Sequence, residues 1–384
     1  MKYRLLYILF NLNRMFIYAE TKYPVDISYM VSDLKYSQEH GLKICEVQHG
    51  TLSTVTGDLY ILGGDGNICP MIADFFALFP MKKWATTGLI YPPLQRSLVE
   101  KEWNIQHSMK TLLKDPTFLE CAALPPVDPF SITSYTGIVY AAADIVGNFD
   151  SYLKTYPGIL FIDAVTLPYW RDKYTMNALF DHNDELKQYK ADWKLYPKKY
   201  DPLLSERIQN EMPSQLYVIK PRRECLANGV IVVANKDLDG VLQMILEPTA
   251  NLGKHPDKKY SYWRKSREDT FLIERYYTSD YLRFSQPLGE KTSYEGEVHY
   301  DATMRLAFIL KYDRGNMTYH PLGGFWKLPL KALEEEGTLN EKRIACCIPP
   351  FYTAIDPELL KEAHAQLEKS MLLLYEIMLN KLSQ

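Results

Sequence analysis

Two short runs of β-branched and aliphatic residues, Leu216–Ile219 and Val230–Ala234, flank a basic loop and constrain the fold more than any other segment. This pattern predicts a β-hairpin. Lys220 follows the first run, so the strands would hold its ammonium in place, and Gly229 lets the loop turn back. A held ammonium beside loop N–H groups suits a polyanion such as a nucleotide phosphate. From this segment alone, a hairpin with a solvated basic tip remains the alternative.

Composition describes a globular chain with room for two or three lobes. It has 384 residues, of which 47% are hydrophobic and 24% charged. A net charge of −3 gives no overall attraction for nucleic acid or anionic membranes, so we predict neither as a partner. The six cysteines show no CxxC pair and no zinc-type spacing. This favours free thiols in a reducing, cytoplasmic compartment.

The N-terminus combines a basic start with a short apolar run. Asn11, Asn13 and Arg14 interrupt that run, which is too short to span a bilayer. We therefore predict a soluble chain, with a cleaved signal peptide as the alternative.

Strand-like and helix-like segments alternate in the first half, and the pattern becomes β-rich after Met212. The alternation predicts an α/β layer followed by an α+β part. The predicted strands are Ile27–Lys35, Leu42–Gln48, Gly57–Gly64, Thr87–Tyr91, Ile138–Ala143, Gly158–Ala164, Thr270–Tyr277 and Ala302–Tyr312. The predicted helices are Ile68–Phe79, Leu98–Leu113, Asp172–Tyr189 and Pro357–Leu382.

The segment FLIERYY, Phe271–Tyr277, has the features of an adenine site. An apolar strand end can hydrogen-bond a base edge through its backbone while Tyr276 or Tyr277 covers the face of the base. Glu274 lies within this strand, and Asp280 follows at a distance that suits ribose hydroxyls. The alternative for Glu274 is an ordinary charge at a strand end.

His299, Asp301 and Arg305 precede a further apolar run, LAFIL, which Arg305 opens. A guanidinium in that place can reach a terminal phosphate, although a surface ion pair would explain it equally simply. Together with the hairpin, these residues form an ordered nucleotide-binding set.

In this order the segments resemble the ATP-grasp superfamily, whose members hold ATP between two α+β lobes and mostly join a carboxylate to an amine through an acyl-phosphate. The resemblance extends from Leu160 to the C-terminus. It implies that Lys173, opening a helix after an aspartate, touches the α-phosphate and that Lys220 is the second nucleotide lysine. The candidate nucleotide-binding residues are therefore Lys173, Lys220, Arg222, Arg223, Gly229, Glu274, Tyr276, Tyr277 and Asp280, and the candidate catalytic residues are Arg305 and Lys220.

The family normally carries metal-binding carboxylates, Asp and then Glu-x-Asn, after the helix that is here Pro357–Leu382, and no such pair follows it. Near the N-terminus, however, Asp33 precedes a turn and Glu46-x-Gln48, followed by small residues. This resembles the pattern of D-alanine–D-alanine ligases and implies a circular permutation. Strand alternation puts Glu46 and Gln48 on one face, and these oxygen ligands suit Mg²⁺. The alternative is a solvent-facing acidic hairpin.

The resulting prediction is a circularly permuted ATP-grasp fold, α/β and α+β. Residues 1–55 would complete the ATP-grasp domain 169–384, and residues 56–168 would form a pre-ATP-grasp-like α/β domain. The predicted activity is an ATP- and Mg²⁺-dependent ligase that joins small-molecule or peptide carboxylates and amines. The alternatives are an ATP-grasp kinase and a catalytically silent ATP-binding regulatory or effector protein. The sequence identifies neither the substrates nor the oligomeric state.

Overall fold

A computed structural model describes residues 23–50, 55–86, 92–141, 149–169, 172–223, 227–247, 257–289 and 294–382. The N-terminal apolar run and the predicted strand Thr87–Tyr91 lie outside these residues. In the described part of the chain, no helix is long and apolar enough to cross a membrane.

The helices of the described residues are α1 Thr56–Leu62, α2 Ile68–Ala77, α3 Pro92–Glu100, α4 Met109–Leu112, α5 Pro116–Ala123, α6 Phe149–Thr155, α7 Lys173–Phe180, α8 Asp184–Lys187, α9 Leu204–Glu211, α10 Leu238–Leu246, α11 Lys258–Lys265, α12 Leu339–Arg343 and α13 Pro357–Leu382. The strands are β1 Asp26–Ser37, β2 Gly41–His49, β3 Lys82–Thr86, β4 Asn104–Gln106, β5 Gly137–Tyr140, β6 Ile159–Phe161, β7 Trp193–Pro197, β8 Leu216–Pro221, β9 Ile231–Ala234, β10 Thr270–Arg275, β11 Leu282–Phe284, β12 Val298–Tyr300, β13 Thr303–Asp313, β14 Asn316–Lys327 and β15 Tyr352–Thr353.

A five-stranded antiparallel sheet of order β15-β14-β13-β1-β2 forms the centre of the molecule. The two predicted N-terminal strands are confirmed as β1 and β2. All twelve residues of β1 are buried, because β13 pairs with it on one side and β2 on the other while core packs on both faces. One face packs against α13, and the other packs against α2 and part of a smaller parallel sheet. The predicted terminal helix Pro357–Leu382 is confirmed as α13.

A second antiparallel sheet, of order β7-β10-β8-β9, contains the predicted basic hairpin as β8 and β9. Its core joins β8, β9 and β10 to helices α9, α10 and α11. β10 crosses the centre of this sheet, with β8 on one side and β7 on the other. The chain then leaves β10 toward the five-stranded sheet, so the predicted adenine segment lies where the two sheets approach each other.

A parallel sheet of order β4-β3-β5-β6 accounts for the α/β layer. Two sequence predictions in this region are wrong. Gly57–Gly64 is not a strand, because Thr56–Leu62 forms α1, and Gly57 lies so close to the Phe325 ring that an added Cβ would come within 2.2 Å of it. Leu98–Leu113 is not one helix, because Glu102 takes a positive φ of 64° and the chain continues as β4.

Candidate functional site

The edge strand β2 meets the second sheet at a β-bulge. Asp33 pairs with Glu46, while the next residue of β1 pairs with Ile44, so Cys45 is left between them without a partner on β1. The Cys45 carbonyl accepts from Lys220 Nζ at 3.1 Å and from Lys190 Nζ at 3.3 Å. The bulge thus ties β2 to Lys190, which precedes β7, and to Lys220 of β8, the predicted nucleotide lysine.

Glu274 lies between those two lysines. Its Oε2 is 2.6 Å from Lys220 Nζ, and its Oε1 is 3.0 Å from Lys190 Nζ and 2.9 Å from Asn177 Nδ2. Burial acts to raise the pKa of Glu274, but the two lysines outweigh it and lower the pKa to about 2. Burial lowers the pKa of Lys190, whereas for Lys220 the carboxylate overcomes burial and raises the pKa.

Asp33 forms a second group with two cations. Arg305 lies opposite Asp33 across β1 and β13 and donates from Nε at 2.6 Å and from Nη2 at 2.7 Å, while Lys327 Nζ lies 2.9 Å from Oδ2. Burial acts to raise the pKa of Asp33, but the two cations hold it well below its ordinary value. The predicted phosphate-binding arginine is therefore already fixed in a two-pronged ion pair.

Asp301 forms a third group of the same kind, with Lys35 Nζ at 2.9 Å from its Oδ1 and Arg343 Nη1 bound to its Oδ2. The Asp301 carboxylate is completely buried. Burial acts to raise its pKa, and Lys35 is the largest of the influences that lower it overall.

Each of these three carboxylates is thus shared by two cations, so each group carries one positive charge in excess. The groups lie next to one another. The Cys45 carbonyl accepts from Lys190 and Lys220, and the next residue, Glu46, pairs with Asp33 across β1 and β2. Lys35, which binds Asp301, lies two residues beyond Asp33 on β1. The chain as a whole carries a net charge of −3. A concentration of buried positive charge in such a chain is suited to a polyanion.

The predicted metal ligands are only partly available to a cation. Both oxygens of Asp33 are held by Arg305 and Lys327, whose charges repel a metal, so Asp33 does not fit a metal in this arrangement. Glu46 is half-buried, and its Oε1 lies 3.2 Å from Lys173 Nζ. Gln48 pairs with Val31 two residues further along the strand. Within the described residues, no group of three or more His, Cys, Asp or Glu side chains is arranged to hold a metal ion.

The remaining predicted residues lie around this cluster. Lys173 is the first residue of α7, and its N–H donates to the Arg222 carbonyl at 2.9 Å. The Arg222 guanidinium is bound to Asp172, whereas Arg223 is largely exposed.

At the far end of the loop, Gly229 has a φ of +70°, which favours glycine, and its carbonyl accepts from Trp263 Nε1 at 2.9 Å. The ring of Tyr277 lies under Lys43 Nζ, and Asp280 is exposed and accepts from Gln38 N at 2.9 Å.

Sequence reasoning gave no role to five charged members of the cluster, namely Lys35, Lys190, Lys327, Arg343 and Asp301. No local pattern marks these residues. Lys35 follows Ser32, Asp33 and Leu34, and Lys327 follows only two aromatic residues after Gly323 and Gly324.

No family model matches this sequence, and no curated protein matches it. Solved structures similar to the chain include a glutathione synthetase-like effector from Globodera pallida, at 11% identity and a TM-score of 0.43, covering 79% of this chain and 73% of the other. They also include D-alanyl-alanine synthetase A from Vibrio cholerae, at 9% identity and a TM-score of 0.31, and the VanG D-Ala:D-Ser ligase from Enterococcus faecalis, at 10% and 0.30. The alignments cover 62% and 63% of this chain but only 58% and 56% of those two enzymes.

Proposed function

We propose that this chain binds ATP where the five-stranded sheet meets the second sheet and uses it to join a carboxylate to an amine, as a circularly permuted ATP-grasp protein. The observation that carries the proposal is the set of three buried carboxylates, Glu274, Asp33 and Asp301, each shared by two cations. The excess positive charge lies beside a strand end with aromatic residues, and so matches a ligand with a triphosphate at one end and a base at the other.

In the proposed reaction a substrate carboxylate oxygen attacks the γ-phosphorus of ATP, the bond to the β-γ bridging oxygen breaks, and ADP leaves. The neutral amine then attacks the acyl-phosphate carbon, the bond from that carbon to the phosphate oxygen breaks, and the amine proton leaves with the phosphate as HPO₄²⁻. Lys173, Lys220 and Arg305 would neutralise charge that develops on the transferred group. Positioning and electrostatics supply the rate, so no protein nucleophile is required.

Mg²⁺ would be held by Glu46 and Gln48. Only one oxygen of Glu46 is paired with a cation, whereas both oxygens of Asp33 are. A bound Mg²⁺ neutralises phosphate oxygens and orients them. Arg305 and Lys327, which bind Asp33, carry positive charge next to this site. Their charge would neutralise phosphate oxygens directly, so the nucleotide would need fewer metal-binding carboxylates there.

The permutation is supported by the place of β1 and β2 in the sheet. Asp33 and Glu46 stand opposite each other, and Lys220 Nζ donates to the carbonyl of Cys45, the residue before Glu46 on β2. We therefore assign residues 1–55 and 169–384 to one ATP-grasp domain, and residues 56–168 to a pre-ATP-grasp-like domain.

The test is calorimetric titration of the folded chain with ATP. Lys220→Ala should weaken ATP binding about 10- to 150-fold, because a buried charge-assisted phosphate contact is worth roughly 1.5–3 kcal/mol. Lys194→Ala is the matched control, since Lys194 lies in the same sheet, is half-exposed and pairs with Glu211. Equal ATP affinity in wild type and Lys220→Ala would contradict the assignment.

A catalytically silent ATP-binding protein is the second candidate. It is favoured by one observation, that cations hold Asp33 at both oxygens and Glu46 at one. Release of ADP in the presence of carboxylate and amine mixtures separates the two. Tight ATP binding without any ADP release under these conditions would favour the silent protein.

A further inference from the structure

The segment 276–280 connects the second sheet to the five-stranded sheet and is held at both ends. Tyr276 N donates to Leu216 O at 3.1 Å, which ties the start of the segment to β8. Asp280 N donates to Tyr36 O at 2.9 Å, which ties its end to β1. The segment begins within the predicted adenine-contacting residues. Its position therefore sets the distance between the base and the lysines that would bind the phosphates.

Asp301, in the loop between β12 and β13, accepts hydrogen bonds from two residues of this segment. Its Oδ2 accepts from Tyr276 Oη at 2.7 Å, and its Oδ1 accepts from Ser279 N at 3.0 Å. The same carboxylate holds Lys35 of β1 and Arg343 at the end of α12. One buried carboxylate thus connects the segment to the central sheet and to the chain beyond β14.

We infer that Asp301 is a positioning residue for the nucleotide, which sets the adenine-contacting segment at the distance from Lys220 that one ATP molecule spans. The inference rests on the proposed ATP site. Asp301 would not touch the ligand. Without its charge, buried Lys35 and Arg343 would lose their shared counter-ion and repel each other. The segment would no longer be held ready for the base, while the lysines around Glu274 would stay in place.

This predicts a loss that is specific to the base. Calorimetric titration of the full chain with ATP and with inorganic tripolyphosphate, which has no base, separates the two contributions. Asp301→Asn should weaken ATP binding about 10-fold without weakening tripolyphosphate binding, because the substitution removes a negative charge from the cluster and leaves the lysines around Glu274 in place. Tyr276→Phe keeps the ring but removes the hydroxyl held by Asp301, and should weaken ATP binding about 3-fold with tripolyphosphate binding unchanged.

Glu211→Gln is the matched control. Glu211 Oε2 accepts from Lys194 Nζ at 3.0 Å and from Tyr196 Oη at 2.9 Å, so it holds a lysine and a tyrosine as Asp301 does, but away from the cluster. Its substitution should leave both affinities unchanged.

The outcomes distinguish this inference from the proposed function. A wild-type chain that does not bind ATP overturns both. A wild-type chain that binds ATP, together with a folded Asp301→Asn that loses affinity for ATP and tripolyphosphate equally or for neither, overturns only the inference about Asp301. If Asp301→Asn does not fold, Tyr276→Phe decides alone, and equal effects on the two ligands overturn the inference.

Discussion

Asp33 and Arg305 are 272 residues apart in the chain but lie opposite each other on adjacent strands, joined by two hydrogen bonds of 2.6 and 2.7 Å. The strand that carries Asp33 is the first of the described chain, and it lies in the interior of the central sheet. The ion pair therefore joins the N-terminal strands to the part of the chain that we propose forms the rest of an ATP-grasp domain.

Removal of the Arg305 charge should destabilise the fold through Asp33. In Arg305→Met the buried Asp33 carboxylate loses two charge-assisted hydrogen bonds and keeps only Lys327, and we expect the free energy of unfolding to fall by about 3 kcal/mol. The double variant with Asp33→Asn should lose less than the sum of the two single losses, because Arg305→Met also removes one of the two buried cations that Asp33→Asn leaves without a counter-ion. Urea denaturation of both single variants and the double variant measures the coupling. Additive losses would show that the pair does not contribute as a unit.

Glu46 should act through Mg²⁺. We expect Glu46→Ala to weaken ATP binding about 10-fold in the presence of Mg²⁺ and to change it little in EDTA, since the carboxylate would bind the nucleotide only through the cation. Calorimetry under both conditions tests this. A similar loss in EDTA would mean that Glu46 acts by orienting Lys173, which lies 3.2 Å away.

Asp26 should make stability depend on pH. Burial raises its pKa to about 6, against the hydrogen bonds from Tyr375, Ser28 and Val165. Because the folded state favours the protonated form, this stabilisation is complete below about pH 4 and is lost as the pH rises through about 6. The loss amounts to about 3 kcal/mol. Asp26→Asn mimics the protonated carboxyl, since the hydroxyls of Ser28 and Tyr375 can turn to accept from its amide.

The difference between wild type and Asp26→Asn isolates this residue from Asp163, whose pKa burial also raises. Denaturant midpoints measured from pH 4 to pH 7 should fall more steeply for wild type than for the variant. Parallel curves would show that Asp26 does not titrate in this range.

Segments with a strong local pattern were predictable from the sequence. The apolar patterns of the segments that form β1, β8 and α13 each predict one type of element, and the structure confirms all three. Gly57–Gly64 was wrongly predicted as a strand. Gly57 packs against the ring of Phe325, 268 residues further along the chain, and nothing in the local sequence indicates that contact. β14 was missed because Pro321, Gly323 and Gly324 interrupt its strand pattern.

The candidate site was predictable only where a charged residue follows an apolar strand, as Lys220 does. The partners are set by the fold rather than by local sequence. Lys327 and Asp33 form an ion pair across 294 residues, and nothing near either residue in the sequence indicates the other. The same holds for Lys190 and Glu274, which are 84 residues apart.

The proposed permutation predicts that β1 and β2 can be supplied from the other end of the chain. Tyr375 of α13 bonds Asp26 at the start of β1, and Leu382 lies seven residues, or about 10 Å of helix, beyond Tyr375. A flexible linker of about 12 residues has a root-mean-square span of about 19 Å.

A chain running from 55 to 382, then through this linker to 23–50, should therefore fold and bind ATP within about 3-fold of wild type. The same chain without 23–50 should not fold, because β13 would lose its neighbour β1, all of whose residues are buried. Circular dichroism, thermal unfolding and calorimetry compare the two. A re-joined chain that stays unfolded with linkers of several lengths would count against the permutation.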